Sequence, residues 1–129
     1  MPDILIAEDE PTIMETLKFL LELEGWSVCG VSAGDAVMRE VRRKPPGLVI
    51  LDVMLPGLSG LDVLKNLRAD PDHGRIPVLI LTARGQSHDR QLAMDLNADG
   101  FITKPFANDE VVTEIRRLLA LRSKTPAEG

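Results

Sequence analysis

Cysteine is almost absent from this sequence, and histidine is scarce. Cys29 is the only cysteine among the 129 residues, which excludes a disulfide framework and a cysteine-based metal site. Because Cys29 lies in a predicted strand, we expect it to be a small buried hydrophobic residue. The two histidines, His73 and His88, lie far apart in loop-like sequence. We interpret them as surface residues rather than as a metal site.

An excess of basic charge and long apolar runs are lacking as well. The 15 Lys and Arg residues against 20 Asp and Glu give a formal net charge of −5, which argues against direct nucleic-acid binding by this domain. The amino-terminal residues lack the basic segment of a signal peptide, and no apolar run approaches the length of a membrane span. We therefore expect a cytoplasmic domain that contacts neither a membrane nor nucleic acid.

The sequence does contain a repeated alternation of apolar runs and helical patterns. Short runs rich in branched residues predict strands over 4–7, 27–31, 48–51, 77–81 and 101–103. Apolar residues at helical spacing predict helices over 11–24, 35–43, after Ser59, over 87–96 and from Asn108. Five strand–helix units predict one α/β domain, a doubly wound parallel sheet with helices on both faces and right-handed crossovers.

Individual residues predict where several of these helices begin and end. Pro11 suits the first turn of the first helix, and Gly25 is a plausible stop for it. Ser59 and Asn108 are predicted to cap the third and fifth helices at their amino ends. Asn97 is expected to end the fourth helix in the left-handed conformation.

Polar side chains follow four of the predicted strands at the point where each strand ends. Glu8 and Asp9 follow the first, Asp52 follows the third, Thr82 follows the fourth and Lys104 follows the fifth. The carboxyl ends of parallel strands meet at one edge of a sheet, where ligands bind in folds of this kind. We therefore expect these side chains to form a site.

The residue types at this edge suggest a particular chemistry. Three carboxylates close together raise one another's pKa unless a cation intervenes, and a hard divalent cation such as Mg²⁺ or Mn²⁺ prefers oxygen ligands. Thr82 offers a hydroxyl donor, and Lys104 offers a positive charge suited to a phosphate oxygen. Together these groups indicate phosphoryl transfer to an aspartate, with the carboxylate as nucleophile.

At four segments the chain resembles the receiver domain of bacterial two-component response regulators. The segments are 4–10 (ILIAEDE), 51–60 (LDVMLPGLSG), 76–83 (IPVLILTA) and 101–106 (FITKPF). The resemblance covers residues 3–122, and residues 123–129 have the composition of a linker. It implies a flavodoxin-like (βα)5 fold with strand order 2-1-3-4-5.

The resemblance also implies a role for each matching residue in phosphoryl transfer. Asp52 would accept the phosphoryl group from a kinase phosphohistidine. Asp9, Asp52 and the Met54 backbone carbonyl would bind Mg²⁺ or Mn²⁺, with Glu8 nearby, through water or directly. Glu8 departs from the commoner Asp of the family. Lys104 would pair with the phosphoryl group.

Further implied roles concern the response to phosphorylation. Thr82 and Ala83 would contact the phosphoryl group, and Phe101 would rotate inward behind Thr82. Many relatives have Tyr at that position, so a switch built on Phe101 must rely on packing. A cis peptide bond is implied before Pro105.

Two variable positions, Met54 and Arg84, would tune dephosphorylation. For Arg84 the alternative is a solvated loop charge.

The expected function is a phosphorylation-activated signalling switch that is not a turnover enzyme, although it catalyses its own phosphorylation and dephosphorylation. Its partners would be a sensor histidine kinase or phosphotransfer protein and an output protein or fused output domain. A receiver-like interaction module that is never phosphorylated remains open. A haloacid-dehalogenase-like phosphohydrolase would need an acid where Met54 stands. A flavodoxin-like cofactor protein would need a phosphate loop in place of the acids at 8–10.

The predicted signalling surface consists of the helix from Ser87, the strand at Phe101 and the helix from Asn108, by fold-level analogy. A phosphorylation-dependent homodimer is a further expected form of partner. Asp99 matches an acid near the dimer face of related transcription factors. Gly100 and Glu114 replace an acid and a basic residue there, which weakens the case for that dimer. The chain would be either a stand-alone receiver or a fragment of a longer protein.

Overall fold

A computed structural model of the chain describes residues 2–83 and 87–123. Five parallel strands form one sheet in the order β2-β1-β3-β4-β5. The strands are β1 (Ile4–Ala7), β2 (Val28–Val31), β3 (Leu48–Asp52), β4 (Val78–Ala83) and β5 (Gly100–Lys104). The helices are α1 (Pro11–Leu23), α2 (Val37–Arg43), α3 (Gly60–Ala69), α4 (Ser87–Asp95) and α5 (Asn108–Ser123). The predicted fold class and strand order are confirmed.

The sheet is covered on both faces, which explains why its central strands are apolar at every position. In β1, Leu5 and Ala7 pack on the side of α2, α3 and α4. Ile4 and Ile6 pack on the side of α1 and α5. Successive residues of a strand point to opposite faces, so each strand contributes to two hydrophobic layers.

The helix boundaries follow local chemistry closely at several ends. Ser59 accepts a hydrogen bond from the Asp62 amide at 3.2 Å and caps α3 as predicted. Asn97 adopts a φ of 67° after α4, as expected for a left-handed cap. Gly25 follows α1 with a φ of 95°, a conformation that glycine adopts at no steric cost.

Two predictions about where helices begin were wrong. The single helix predicted from Asp35 is a short 3-10 turn over Gly34–Ala36 followed by α2. The turn fits tightly, since a Cβ on Gly34 would lie 1.9 Å from the Leu58 carbonyl oxygen. Asn108 is the first residue of α5 rather than its cap. The carbonyl of Ala107 instead accepts the first hydrogen bond of the helix, from Val111.

Cys29 is half-buried rather than buried, because β2 is an edge strand. His88 is exposed, as predicted, whereas His73 is half-buried and its Nδ1 lies 3.2 Å from Asp70 Oδ1. No helix among the described residues has the length and apolar character needed to cross a membrane.

Candidate functional site

The structure brings together polar residues at the carboxyl ends of three strands: Glu8 and Asp9 directly follow β1, Asp52 ends β3 and Lys104 ends β5. Carboxylate oxygens of Glu8, Asp9 and Asp52 all lie within 4.8 Å of one another. Glu8 and Asp52 are buried, and Asp9 is exposed. The register places β1 beside β3, with Ala7 opposite Leu51, so the residues after these two positions are neighbours.

Lys104 supplies the positive charge that faces these acids. Its Nζ lies 2.6 Å from Asp52 Oδ2 and 3.0 Å from Glu8 Oε1. Burial opposes the charge of the ammonium group, but its hydrogen bond to Asp52 and its ion pair with Glu8 outweigh that effect and raise the pKa of Lys104. One cation is therefore shared between two buried carboxylates.

Glu8 occupies an unusual environment for a carboxylate. Its Oε2 accepts a hydrogen bond from the Glu10 amide at 3.1 Å. Its buried Oε1 accepts no hydrogen bond with good geometry from any described residue, although Lys104 lies within ion-pair distance. Burial raises the pKa of Glu8 from 4.5 to about 7, Asp52 adds to the rise, and the contacts from Glu10 and Lys104 offset only part of it.

Backbone contacts fix the position of Asp52. The Met54 amide donates a hydrogen bond to Asp52 Oδ1 at 3.0 Å, and the Val53 amide donates to the Leu81 carbonyl. The start of α3 lies against the same backbone, since a Cβ on Gly60 would lie 2.1 Å from the Asp52 carbonyl oxygen. The Met54 side chain is exposed, and the second carboxylate oxygen, Asp52 Oδ2, accepts a hydrogen bond from Lys104.

The remaining predicted site residues lie on β4 and β5. Thr82 is buried and pairs in register with Thr103, and Ala83 is exposed and pairs with Lys104. The Lys104–Pro105 peptide bond is cis. Arg84 lies outside the described residues.

Phe101 is half-buried in β5, and the Arg90 guanidinium lies over its ring, 5.1 Å from the centroid. No sequence pattern predicts Arg90 at this ring, because the position of α4 over β5 is a tertiary feature.

Asp99 is engaged within the chain. Its Oδ2 accepts a hydrogen bond from Arg68 at 2.6 Å and from the Val78 amide at 2.8 Å. Glu114 pairs with Arg117 and lies against Gly100, where a Cβ would come within 2.8 Å of Glu114 Oε2. Asp99 and Glu114 are therefore both paired within the chain.

The donor set at the edge of the sheet fits a hard divalent cation. The three acids supply only oxygen ligands, and one buried oxygen of Glu8 has no hydrogen-bond donor among the described residues. Mg²⁺ is commonly bound by one or two carboxylates together with water and phosphate oxygens. Glu8, Asp9 and Asp52 could therefore hold Mg²⁺ or Mn²⁺.

Residues 4–116 match the family of the response regulator receiver domain, and the chain belongs to that family. It is 40% identical over 126 residues to the probable transcriptional regulatory protein TcrX of Mycobacterium tuberculosis, covering 98% of this chain and 53% of that protein. It is 35% identical to the phosphate regulon transcriptional regulatory protein PhoB of Rhizobium meliloti, covering 92% and 52%. The chain thus spans about half the length of the curated relatives it matches.

Solved receiver domains share the fold. The signal receiver domain of a histidine kinase from Syntrophus aciditrophicus superposes with a TM-score of 0.89 at 34% identity, covering 97% of this chain and 95% of that one. The receiver domain of a sensor histidine kinase from Pseudomonas aeruginosa superposes with a TM-score of 0.85 at 26% identity, covering 92% and 98%. The latter has a magnesium ion coordinated in its active site cleft.

Proposed function

We propose that this chain is a phosphorylation-activated signalling switch in which Asp52 accepts a phosphoryl group from a histidine kinase or phosphotransfer protein. The observation that carries the proposal is the geometry of Asp52. It is a buried carboxylate held by the Met54 amide, within 2.6 Å of Lys104 and beside two further acids.

In the proposed reaction a carboxylate oxygen of Asp52 attacks the phosphorus atom of a phosphohistidine. The new O–P bond forms as the N–P bond breaks, and the imidazole leaves with the electron pair of that bond. Lys104 lies close enough to Asp52 to pair with an oxygen of the transferred group. Thr82 and Ala83 end β4 at the same edge and would contact the phosphoryl group.

A divalent cation completes the proposed site. Mg²⁺ or Mn²⁺ would be held by Asp9, Asp52 and the Met54 backbone carbonyl, with Glu8 adjacent. When bound, it would neutralise negative charge on the phosphoryl oxygens. Support comes from the oxygen-only donor set of this chain and from the magnesium ion in the related Pseudomonas aeruginosa receiver.

In this proposal the chain is a switch and not a turnover enzyme. It would catalyse its own phosphorylation and the later hydrolysis of the phosphoaspartate, and then return to the starting state. Met54, which is exposed beside Asp52, would tune the hydrolysis rate together with Arg84.

The proposed output surface is formed by α4, β5 and α5. A phosphoryl group adds nearly two negative charges at the edge of the sheet, which is enough to bias a two-state surface. Thr82 would move toward the phosphoryl group, and Phe101 would rotate inward behind it. The altered surface would then control an output protein or a fused output domain, or pair with a second copy.

Intact mass after incubation with acetyl phosphate tests the phosphoacceptor. Wild type, Asp52→Asn and the control Asp109→Asn, which changes an exposed carboxylate in α5, are compared with and without Mg²⁺. We expect one phosphoryl adduct on wild type and on the control, only with Mg²⁺, and none on Asp52→Asn. An adduct that persists on Asp52→Asn would place the acceptor elsewhere. If no protein gains an adduct from acetyl phosphate or from phosphorylated histidine kinases, the chain acts by contact alone.

A further inference from the structure

The contact between Arg90 and Phe101 links α4 to the residue that we expect to report phosphorylation. The Arg90 guanidinium carbon lies 5.1 Å from the ring centroid, within the range of a cation–π interaction. Arg90 is exposed, and Phe101 is half-buried against the hydrophobic layer beneath α4. The ring therefore has the apolar layer on one side and a cation over it.

The register of the sheet relates this ring to Thr82. Phe101 pairs with Ile80, and Thr82 lies two residues further along β4, so Thr82 and Phe101 point to the same face. Because phenylalanine has no hydroxyl group, no hydrogen bond from its side chain can fix the position of the ring. The cation–π contact supplies a directional interaction in its place.

We infer that Arg90 is a positioning residue that holds the Phe101 ring in the unphosphorylated arrangement. It thereby sets the equilibrium between this position of the ring and the inward one. This inference rests on the proposed phosphorylation of Asp52. When Thr82 moves toward the phosphoryl group, the ring turns into the space that Thr82 leaves. The ring then moves out from under the guanidinium, and the cation–π contact is lost.

The size and sign of the effect follow from this contact. A cation–π interaction at an exposed site changes an equilibrium by about two- to fivefold. Removing it favours the inward position of the ring, so Arg90→Gln should increase the rate of phosphorylation by acetyl phosphate by that factor. A general electrostatic role would have the opposite sign, because loss of a positive charge disfavours the approach of an anionic phosphodonor.

The experiment measures the rate of adduct formation by intact mass at a fixed concentration of acetyl phosphate and Mg²⁺. The proteins are wild type, Arg90→Gln, Arg90→Lys, Phe101→Leu and the double variant with Arg90→Gln and Phe101→Leu. We expect Arg90→Gln to react about two- to fivefold faster than wild type and Arg90→Lys to restore most of the wild-type rate. In the Phe101→Leu background, Arg90→Gln should have no accelerating effect.

A spectroscopic measurement reads the contact itself. In wild type, NMR resonances of the Arg90 side chain should be displaced by the ring current of Phe101, and the displacement should be absent in Phe101→Leu. It should also decrease on phosphorylation of wild type.

The inference is overturned if Arg90→Gln leaves the rate unchanged or slows it, if its acceleration persists without the Phe101 ring, or if the displacement survives phosphorylation. Failure of every protein, wild type included, to gain an adduct would instead refute the proposed function.

Discussion

The buried carboxyl group of Glu8 makes a specific prediction about how stability depends on pH. Burial raises the pKa of Glu8 from 4.5 to about 7 in the folded protein. A carboxyl group whose pKa is raised by folding contributes stability below its unfolded pKa, and that contribution is lost as the pH rises through the folded pKa. The free energy of unfolding should therefore fall between about pH 4.5 and about pH 7 because of this one group.

The magnitude follows from the difference between the two pKa values. A pKa of about 7 against 4.5 corresponds to about 3 kcal/mol over the whole window. About 2 kcal/mol of this is lost between about pH 5.5 and about pH 8. Glu8→Gln keeps the shape of the side chain and an acceptor for the Glu10 amide, but it cannot titrate. The variant should therefore lack this part of the pH dependence.

The assay is urea unfolding of wild type and Glu8→Gln in EDTA, above the isoelectric point of about 5.0. We expect the stability difference between the two proteins to shift by about 2 kcal/mol in favour of the variant on going from about pH 5.5 to about pH 8. Saturating Mg²⁺ should remove most of that shift, since a bound cation favours ionised carboxylates. Parallel pH profiles in EDTA would refute the argument that Glu8 is protonated on burial.

Two further predictions concern residues that hold the site and its surroundings in place. Gly60→Ala should lower the free energy of unfolding by about 2–3 kcal/mol, because its Cβ would lie 2.1 Å from the Asp52 carbonyl oxygen and the backbone would have to shift. Urea unfolding would measure the loss, and a loss below about 0.5 kcal/mol would contradict the tight contact. Arg68→Met should cost about 2–4 kcal/mol, because it removes hydrogen bonds to the carbonyls of Gly74, Ile76 and Asn97. Arg68→Lys should recover only a small part of this loss, since an ammonium group cannot donate hydrogen bonds in the planar geometry of a guanidinium. If both variants were as stable as wild type, these hydrogen bonds would not contribute to stability.

The fold was largely predictable because the central strands β1, β3 and β4 are buried on both faces. Residues 4–7 and 48–51 are continuous apolar runs, each followed directly by an acid, and this pattern alone located two adjacent central strands. Prediction failed where a distant contact decides the local conformation. The 3-10 turn at Gly34–Ala36 depends on its close approach to Leu58, and neighbours in sequence do not reveal that approach.

Most residues of the candidate site could also be predicted from the sequence, because they lie at the ends of predictable strands. Parallel strands must place Glu8, Asp52 and Lys104 at one edge, so the spacing of the runs suffices to gather them. The sequence could not show that Lys104 contacts both acids, or that one oxygen of Glu8 has no hydrogen-bond donor among the described residues. It also gave no reason to expect Arg90 over Phe101.

The hydrogen bonds that Arg68 donates limit where the segment between α3 and β4 can accept an insertion. The composition of this segment is typical of a surface loop that tolerates insertions, which is the usual place for a tag or a reporter domain. Arg68 nevertheless holds the carbonyls of Gly74 and Ile76, while Asp70 accepts hydrogen bonds from the amides of Asp72 and His73. An insertion between Asp70 and Ile76 would have to break this arrangement, so the segment is a poor choice for grafting despite its composition.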